Sequence, residues 1–265
     1  MVRQITAFSN STVKLLRSLR DKKARKSEGL FLAEGLRILT EARDRGLLPE
    51  IIAFSPEGAR HPLAAEIIAA TETAGGDAIE TSADILSKMS GKDNPQMLLG
   101  AYRQPDTALA DIDHFQAPLW IVAQALRDPG NIGTILRTGD AVGAGGLILI
   151  DDCADPFSVE AVRASMGALF TQQIAAARWE EFLPWLRSGP GQLAGTSLKA
   201  THDYLEAEYR QPCFLLIGNE QQGLPAAYEG ECDLLVKIPM AGRADSLNAA
   251  VAAAVMAFAI RASWR

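Results

Sequence analysis

The stretch VKIPMAGRADSLNAAVAAAVMAFAI, residues 236–260, joins a short apolar strand, a polar loop and a helix without charged side chains. The strand pattern ends at Pro239, and no Asp, Glu, Lys or Arg occurs between Ala249 and Ile260. A helix that is apolar on all sides has no face for water, so we expect it to be buried. It is too short to span a bilayer, which takes about 20 apolar residues.

A polar cluster comes just before this helix. Asp245 or Ser246 can cap the helix by accepting hydrogen bonds from backbone N–H groups of its first turn. Asn248 lies next to the apolar run, and a buried amide needs hydrogen-bond partners. In open α/β sheets, ligands bind where strand ends lead into helices. We therefore expect a binding site at this junction.

Length and composition are those of a globular protein with one or two domains. The chain has 265 residues and is 48% hydrophobic, which is enough for a substantial core. No stretch resembles a signal peptide or a membrane span, so we expect a cytoplasmic protein without a membrane partner. The three cysteines are odd in number and lack CxxC spacing, which argues against disulfides and against a metal site.

Charge is distributed unevenly along the chain. The net charge is −6, but residues 1–105 carry 15 Lys and Arg against 13 Asp and Glu. Eight basic residues stand before Glu28, where Asp21 is the one acid: Arg3, Lys14, Arg17, Arg20, Lys22, Lys23, Arg25 and Lys26. Such a cluster is either a phosphate-binding patch or a merely solvated helix face.

Strand and helix patterns alternate along two domains, 1–104 and 119–265. In the first, a basic helix is predicted from Asn10 or Ser11 to about Arg25. The polar, proline-bounded residues 105–118 are predicted to form a linker, in which we expect His114 to be exposed. In the second domain, alternation at these lengths predicts a largely parallel sheet covered by helices on both faces.

Three strand ends of the second domain carry polar residues mixed with glycine: RDPGNIG at 127–133, GNEQQG at 218–223 and the loop 240–248. A helix is predicted from Thr134 to Val142, which places Arg137 one turn into it. Glycine allows the backbone to approach a ligand, and helix N-termini offer free N–H donors. We expect the three loops to form one site.

Two kinds of site compete on these residues. A strand, a glycine loop, a helix and then Asp151 about 20 residues later resemble the start of a dinucleotide-binding fold. However, the GxGxxG fingerprint is absent, since the loop offers only Gly130 and Gly133. The alternative is a non-Rossmann cofactor or nucleotide site built by the three loops.

The same residues match the motifs of a known family. The chain resembles the SpoU (TrmH-like) branch of the SPOUT superfamily of RNA methyltransferases. The motifs read DPGNIGTILRT at 128–138, VRASMG at 162–167, LIGNEQQGL at 216–224 and IPMAGRADSLN at 238–248. The basic opening helix and FLAEG at 31–35 resemble a small ribosomal-protein-L30-like domain. The chain departs from the family at 94–97, NPQM, where members often read Pro-Gln-Gly, which puts the interdomain contact or the substrate choice in doubt.

The resemblance implies a fold, an activity and partners. It implies a C-terminal α/β domain with a trefoil knot, an N-terminal RNA-binding domain and a homodimer. It implies S-adenosylmethionine as cofactor and methylation of a ribose 2′-hydroxyl in RNA, in ribosomal rather than transfer RNA. A non-catalytic RNA-binding or ribosome-assembly protein of the same fold is the alternative, and a nicotinamide oxidoreductase is a distant third.

The resemblance also assigns residues. The cofactor would be held by Thr196, Gly218, Ile238, Met240 and Leu247. Catalysis would be carried by Arg137, Glu220, Ser246 and Asn248, with Asn131 shaping the loop of the arginine. Because an arginine is almost always protonated, we expect Arg137 to be held against the target phosphate. It would then either pass on a proton with the help of that phosphate or orient the hydroxyl.

Overall fold

The computed structural model describes residues 2–265, which form two compact units. The first unit contains residues 2–105 and Asp155–Phe170, and the second contains Asp106–Ala154 and Thr171–Arg265. Among the described residues, no helix has the length and apolar content needed to cross a membrane.

The chain alternates between strands and helices throughout. The strands are β1 Arg3–Ile5, β2 Leu30–Glu34, β3 Ile51–Phe54, β4 Asp77–Thr81, β5 Leu98–Arg103, β6 Leu119–Gln124, β7 Gly146–Ile150, β8 Gln173–Ala177, β9 Gln192–Thr196, β10 His202–Asp203, β11 Cys213–Ile217 and β12 Leu234–Lys237. The helices are α1 Ser11–Ser18, α2 Lys22–Glu28, α3 Leu36–Asp44, α4 Pro62–Thr73, α5 Ala83–Ser90, α6 Pro129–Val142, α7 Val159–Ser165, α8 Trp179–Arg187, α9 Ala226–Glu229 and α10 Ala249–Ser263.

The first unit is built on a five-stranded mixed sheet in the order β1-β4-β3-β5-β2. Strand β5 runs antiparallel to both of its neighbours, whereas β1, β4 and β3 are parallel. Val13 and Leu16 of α1 are buried in the core of this unit, together with Ile85 and Met89 of α5. The exposed face of α1 carries its basic residues.

The predicted basic helix from Asn10 to Arg25 is in fact two helices. Asn10 caps α1 as expected, because its side chain accepts a hydrogen bond from the backbone N–H of Thr12 at 2.8 Å. The side chain of Asp21 then caps a new helix by accepting from Lys23 N at 2.7 Å. A good N-cap residue in mid-pattern starts a second helix in a new direction instead of continuing the first.

A segment from the second half of the sequence completes the first unit. Helix α7 packs against β2, and the ring of Phe31 lies 5.3 Å from that of Phe157 and 5.9 Å from that of Phe170. Asp155 accepts a hydrogen bond at 2.6 Å from Arg25, which is 3% exposed. Arg25 is therefore an internal residue of this unit and is unavailable to an external phosphate.

The second unit is built on a seven-stranded sheet in the order β10-β12-β9-β11-β6-β7-β8, with every pairing parallel. All residues of β6, β7 and β11 are buried, as strands covered on both faces require. The predicted parallel sheet is thus confirmed. The trefoil knot implied by the resemblance stays a prediction.

Residues 106–118 fold onto the second unit instead of running free. Ile112 and Ala117 belong to its buried core. The expected exposure of His114 is wrong, because the residue is 8% exposed. Its ring centroid lies 4.1 Å from that of Trp185, and its Nδ1 lies 2.9 Å from the carbonyl oxygen of Pro190. A histidine can satisfy one ring nitrogen on a backbone carbonyl, which makes such burial inexpensive.

Helix α10, which has no charged residue from Ala249 to Ile260, is only partly buried, contrary to the expectation from its composition. Ala253, Met256 and Ile260 are fully buried, whereas Val251 is 48% exposed and Phe258 is 55% exposed. The two exposed residues are seven apart, so they lie on one face of the helix. An apolar helix face remains uncovered in the single chain.

Candidate functional site

Four neighbouring parallel strands, β12, β9, β11 and β6, end at one edge of the second sheet. The segments that follow β9, β11 and β12 enclose a cavity of about 310 Å³, a size usual for a small-molecule site. All five residues predicted to hold a cofactor line it: Thr196, Gly218, Ile238, Met240 and Leu247. Glu220 and Ser246 line it as well. Of the three loops expected to form one site, 218–223 and 240–248 line this cavity, whereas no residue of 127–133 does.

Three predicted site residues from separate loops form one hydrogen-bond network. Asn131 donates from Nδ2 to Glu220 Oε1 at 2.7 Å and accepts at Oδ1 from Asn248 Nδ2 at 3.0 Å. Asn248 Oδ1 in turn accepts from the backbone N–H groups of Ala250 and Val251. The side-chain amide at the centre donates through its nitrogen and accepts through its oxygen, which a carboxylate at this position could not do. The network ties the starts of α6 and α10 to the loop after β11.

The cap of α10 is Asn248, and the expectation that Asp245 or Ser246 caps it is wrong. Ser246 is exposed and donates to the carboxylate of Asp245 at 3.3 Å. Both oxygen and nitrogen of the Asn248 side chain are already used by protein groups. The observed contacts make Asn248, which is exposed and not buried as expected, a residue that positions the site, while Ser246 lines the cavity.

Arg137 lies farther from the network than the sequence pattern suggested. Helix α6 begins at Pro129, with Asp128 as its cap, five residues before the predicted start at Thr134. Arg137 is consequently six residues beyond Asn131, about 9 Å along the helix axis. It is exposed, does not line the cavity, and among residues 2–265 has no hydrogen-bond or ion-pair partner.

The loop after β11 has its shape because of two residues. Asn219 donates from Nδ2 to the carbonyl oxygen of Ala125 at 2.8 Å, and its Oδ1 accepts from Gln221 N at 2.9 Å. At Gly218, a Cβ atom would lie 2.5 Å from the backbone of Gly223 and Leu224. Only glycine lets the loop fold back this closely on itself. These contacts fix where Glu220 enters the cavity.

The position of Asp151 argues against the dinucleotide-binding interpretation. Its carboxylate accepts from Gln124 Nε2, the Tyr228 hydroxyl and Trp179 N at 3.0–3.1 Å. Both carboxylate oxygens are thereby engaged by the protein. Asp151 anchors α8 and α9 to the sheet and is not available to a ribose.

Sequence reasoning missed a second polar pair in the cavity wall. Ser197, directly after β9, donates from Oγ to Glu229 Oε1 at 2.6 Å, and both residues line the cavity. They are 32 residues apart, and neither belongs to a motif. Only the folding of α9 against the end of β9 brings them together.

The cysteines offer no reactive thiolate. Burial raises the pKa of Cys153 to about 11 and the pKa values of Cys213 and Cys232 to about 12. The thiols are therefore protonated at neutral pH and are poor nucleophiles and metal ligands. All three are free, and within the described part of the chain no group of His, Cys, Asp and Glu is arranged to hold a metal ion.

Comparison with known proteins gives matches over both parts of the chain. Residues 118–258 match the model of the SpoU rRNA Methylase family, and residues 10–100 match the MRM3-like substrate binding domain. The 23S rRNA (guanosine(2553)-2'-O)-methyltransferase RlmP of Bacillus subtilis is 30% identical over 98% of this chain and 100% of its own. The 23S rRNA (uridine(2479)-2'-O)-methyltransferase of Streptomyces viridochromogenes is 32% identical over 90% of this chain and 84% of its own.

A solved structure is similar over nearly the whole chain. It is the AdoMet-bound rRNA methyltransferase from Sinorhizobium meliloti, with a TM-score of 0.91 and 40% sequence identity over 98% of both chains. This likeness covers both the five-stranded and the seven-stranded units.

A test of the central amide is the variant Asn131→Asp. It places a carboxylate where the amide now donates to Glu220 at 2.7 Å. At pH 7 we expect the free energy of unfolding to fall by about 1–3 kcal/mol, because two carboxylates repel and a donor is lost. The pair raises the pKa of one carboxyl group, so the loss should shrink as the pH falls towards 5 and that group takes up a proton.

Urea unfolding at several pH values measures this effect. Asn10→Asp is the matched control, because Asn10 only caps a helix, a role that aspartate fills equally well. If Asn131→Asp loses no stability at pH 7, or loses an amount that does not change with pH, the contact between Asn131 and Glu220 does not stabilise the fold as expected.

Proposed function

The chain belongs to the SpoU rRNA methylase family, and from this membership we propose that it transfers a methyl group from S-adenosylmethionine to a ribose 2′-hydroxyl of ribosomal RNA. The observation that carries the proposal is the cavity bordered by Glu220 and by the amide network behind it. A protein that only binds RNA does not need a small-molecule cavity joined to such a network.

The cavity fits S-adenosylmethionine in charge and in surface. Its charged lining consists of Lys199, Lys237, Glu220, Glu229 and Asp245, an excess of one negative charge. This matches a cofactor whose sulfonium gives it an excess of one positive charge. The remaining walls are largely apolar, as a purine ring requires. We propose that Thr196, Gly218, Ile238, Met240 and Leu247 hold the cofactor.

When bound, S-adenosylmethionine supplies an electrophilic methyl group. The chain must then hold the ribose hydroxyl in line and remove its proton, and a 2′-hydroxyl is a weak nucleophile. We propose that Arg137 binds the phosphate next to the target ribose with its planar guanidinium, which orients the hydroxyl and lets its proton pass to that phosphate. Glu220 and Ser246 position the ribose, while Asn131 and Asn248 position Glu220.

The experiment that tests the function has two steps. Calorimetric titration with S-adenosylmethionine and S-adenosylhomocysteine should show saturable binding that weakens in Asn248→Ala. Labelled methyl groups should then enter ribosomal RNA, and not transfer RNA, at a ribose that resists alkaline cleavage. Cofactor binding without methyl transfer to any ribosomal substrate would favour the non-catalytic RNA-binding alternative.

We propose that the first unit binds RNA through its α1–α2 surface, defined here as Lys14, Arg17, Arg20, Lys22, Lys23 and Lys26. All six residues are exposed, and none of them forms an ion pair with another described residue. By contrast, Arg3 pairs with Asp77 and Arg25 pairs with Asp155. Unpaired cations are the ones that neutralise phosphates and release counterions.

Replacing Lys22, Lys23 and Lys26 together by glutamine should weaken RNA binding and make it less sensitive to salt. We expect the slope of log K against log salt concentration to become shallower by about 2–3, because three phosphate contacts are lost. Equilibrium binding to a ribosomal RNA fragment at several salt concentrations measures the slope. A triple change of the ion-paired Arg3, Arg43 and Arg103 to glutamine is the control, and an equal effect of both triples would contradict the assignment.

We also propose that two chains associate through the exposed face of α10. Val251 and Phe258 are about half exposed on a helix that carries no charge from Ala249 to Ile260. Large apolar side chains aligned on one helix face are typical of an interface and unusual for a solvated surface, and here Arg261 borders the face only at its end.

Phe258→Glu should therefore convert a dimer into a monomer, because it would bury a charge in the apolar interface. Multi-angle light scattering measures the mass in solution. Phe115→Glu is the control, since Phe115 is 75% exposed on a short 3-10 helix and lies outside the α10 face. A Phe258→Glu variant that remains dimeric, or a monomeric wild type, would contradict the proposed interface.

A further inference from the structure

Ser197 and Glu229 form a hydrogen-bonded polar pair in the cavity wall that the catalytic network does not use. Ser197 Oγ donates to Glu229 Oε1 at 2.6 Å and accepts from the backbone N–H of Lys199 at 3.2 Å. The hydroxyl thus both donates and accepts a hydrogen bond, which fixes its orientation. It holds the Glu229 carboxylate in place at the cavity wall.

The second oxygen of this carboxylate is free to bind a ligand. Within the described residues, no protein donor reaches Oε2 of Glu229. An ionised carboxylate only accepts hydrogen bonds, and each of its oxygens can accept more than one. Glu229 is half-buried and lines the cavity, so its second oxygen can accept from donors on a ligand. S-adenosylmethionine carries three kinds of donor: the ribose hydroxyls, the adenine amino group and the α-ammonium group.

The surroundings of the pair favour the nucleoside part of the cofactor. Leu198 directly follows Ser197, lines the cavity and is 65% exposed. Leu224 and Val236 add apolar lining to the cavity. Apolar surface combined with a fixed acceptor suits a nucleoside, whose ring is apolar and whose ribose presents two adjacent hydroxyls. The amino-acid part of the cofactor carries an ammonium and a carboxylate group, and contact with the exposed Leu198 would not stabilise it.

We propose that Glu229, oriented by Ser197, binds the ribose hydroxyls of the cofactor. This inference rests on the proposed function, because it assumes that S-adenosylmethionine occupies the cavity. Glu229 is then a binding residue for the nucleoside, and Ser197 is a positioning residue that acts through it. A carboxylate on adjacent ribose hydroxyls is the arrangement that dinucleotide-binding proteins use at a different place in their fold.

The test is calorimetric titration of the full chain with S-adenosylmethionine, S-adenosylhomocysteine and 5′-methylthioadenosine, which lacks the amino-acid part. In Glu229→Gln we expect the affinity for all three to fall by about 10-fold, since a charge-assisted hydrogen bond becomes a neutral one. Ser197→Ala should give a smaller loss in the same direction. Glu231→Gln is the matched control, because Glu231 is exposed two residues away and does not line the cavity.

Deoxy analogues of 5′-methylthioadenosine identify the ligand group. The 2′-deoxy or the 3′-deoxy compound should bind wild type about 10-fold more weakly than 5′-methylthioadenosine does. In Glu229→Gln the deoxy compound and 5′-methylthioadenosine should bind with nearly equal affinity, because the hydrogen bond from the ribose hydroxyl to the carboxylate is absent in both cases. Urea unfolding of the variants shows whether each is folded as wild type is.

The possible results separate the alternatives. If Glu229→Gln weakens the binding of S-adenosylmethionine and S-adenosylhomocysteine but not of 5′-methylthioadenosine, the carboxylate binds the α-ammonium group and the ribose assignment is wrong. Unchanged affinity for all three compounds overturns the role of Glu229 altogether, while the proposed function stands. A folded wild type that binds none of the three overturns the proposed function itself.

Discussion

Replacing Arg137 by lysine is expected to lower methyl-transfer turnover about 100-fold or more, the cost of removing one well-placed transition-state donor. Lysine keeps the charge but loses the planar fork that binds a phosphate through two parallel hydrogen bonds. Cofactor affinity and the free energy of unfolding should not change. The reason is that Arg137 is exposed, lies outside the cavity and has no partner among the described residues.

Single-turnover methylation of ribosomal RNA measures the effect, with calorimetry for cofactor binding. Arg178→Lys is the control, because the side chain of Arg178 is 76% exposed and its carboxylate neighbour lies at 3.8 Å. Near-normal turnover of Arg137→Lys would show that a positive charge is sufficient. A parallel loss of cofactor affinity would place Arg137 in cofactor binding and contradict the role in phosphate orientation.

The second large effect is expected in the first unit, where Arg25→Met should lower the free energy of unfolding by about 3–5 kcal/mol. Arg25 is 3% exposed and donates to the carbonyl oxygens of Leu19 and Arg20 and to the carboxylate of Asp155. Methionine fills a similar volume but leaves the Asp155 carboxylate, which is 13% exposed, without its counter-ion.

Urea unfolding of the full chain measures the loss, with Lys26→Met as the control because Lys26 is exposed and unpaired one residue later. Adding Asp155→Ala to Arg25→Met should recover part of the stability, since the uncompensated buried charge is then removed. Surface ion pairs contribute up to about 1 kcal/mol. If Arg25→Met lowers the free energy of unfolding by less than this, Arg25 does not stabilise the first unit as a buried ion-pair partner.

The predicted elements of the second unit match the structure closely where the local sequence carries a clear start or stop signal. Helix α6 ends at the predicted Val142, because Gly143 in the left-handed conformation terminates it, a stop signal that is visible in the local sequence. The cofactor-site residues also lie together as expected. Parallel strands bring their carboxyl ends to one edge whatever their order, so loop convergence follows from fold class alone.

The start of α6 was misplaced for a reason visible in the chain. Asp128-Pro129 is a good cap and first-turn pair, but Gly130 and Gly133 have low helix propensity and indicated a loop. Packing of α6 against α10 and the buried amide of Asn131 override this propensity. The misplaced start hid the distance between Arg137 and the network.

The sequence by itself determined the fold class, the parallel sheet of the second unit, the family and two of the loops that line the cavity, 218–223 and 240–248. These depend on hydrophobic period, glycine positions and long ordered motifs, all of which are local properties. The tertiary structure alone decided that Asp155–Phe170 completes the first unit, that Asn131 joins Glu220 to Asn248, and that Ser197 holds Glu229. Each of these is a contact between residues distant in sequence, whose hydrogen-bonding capacity allows many partners until packing selects one.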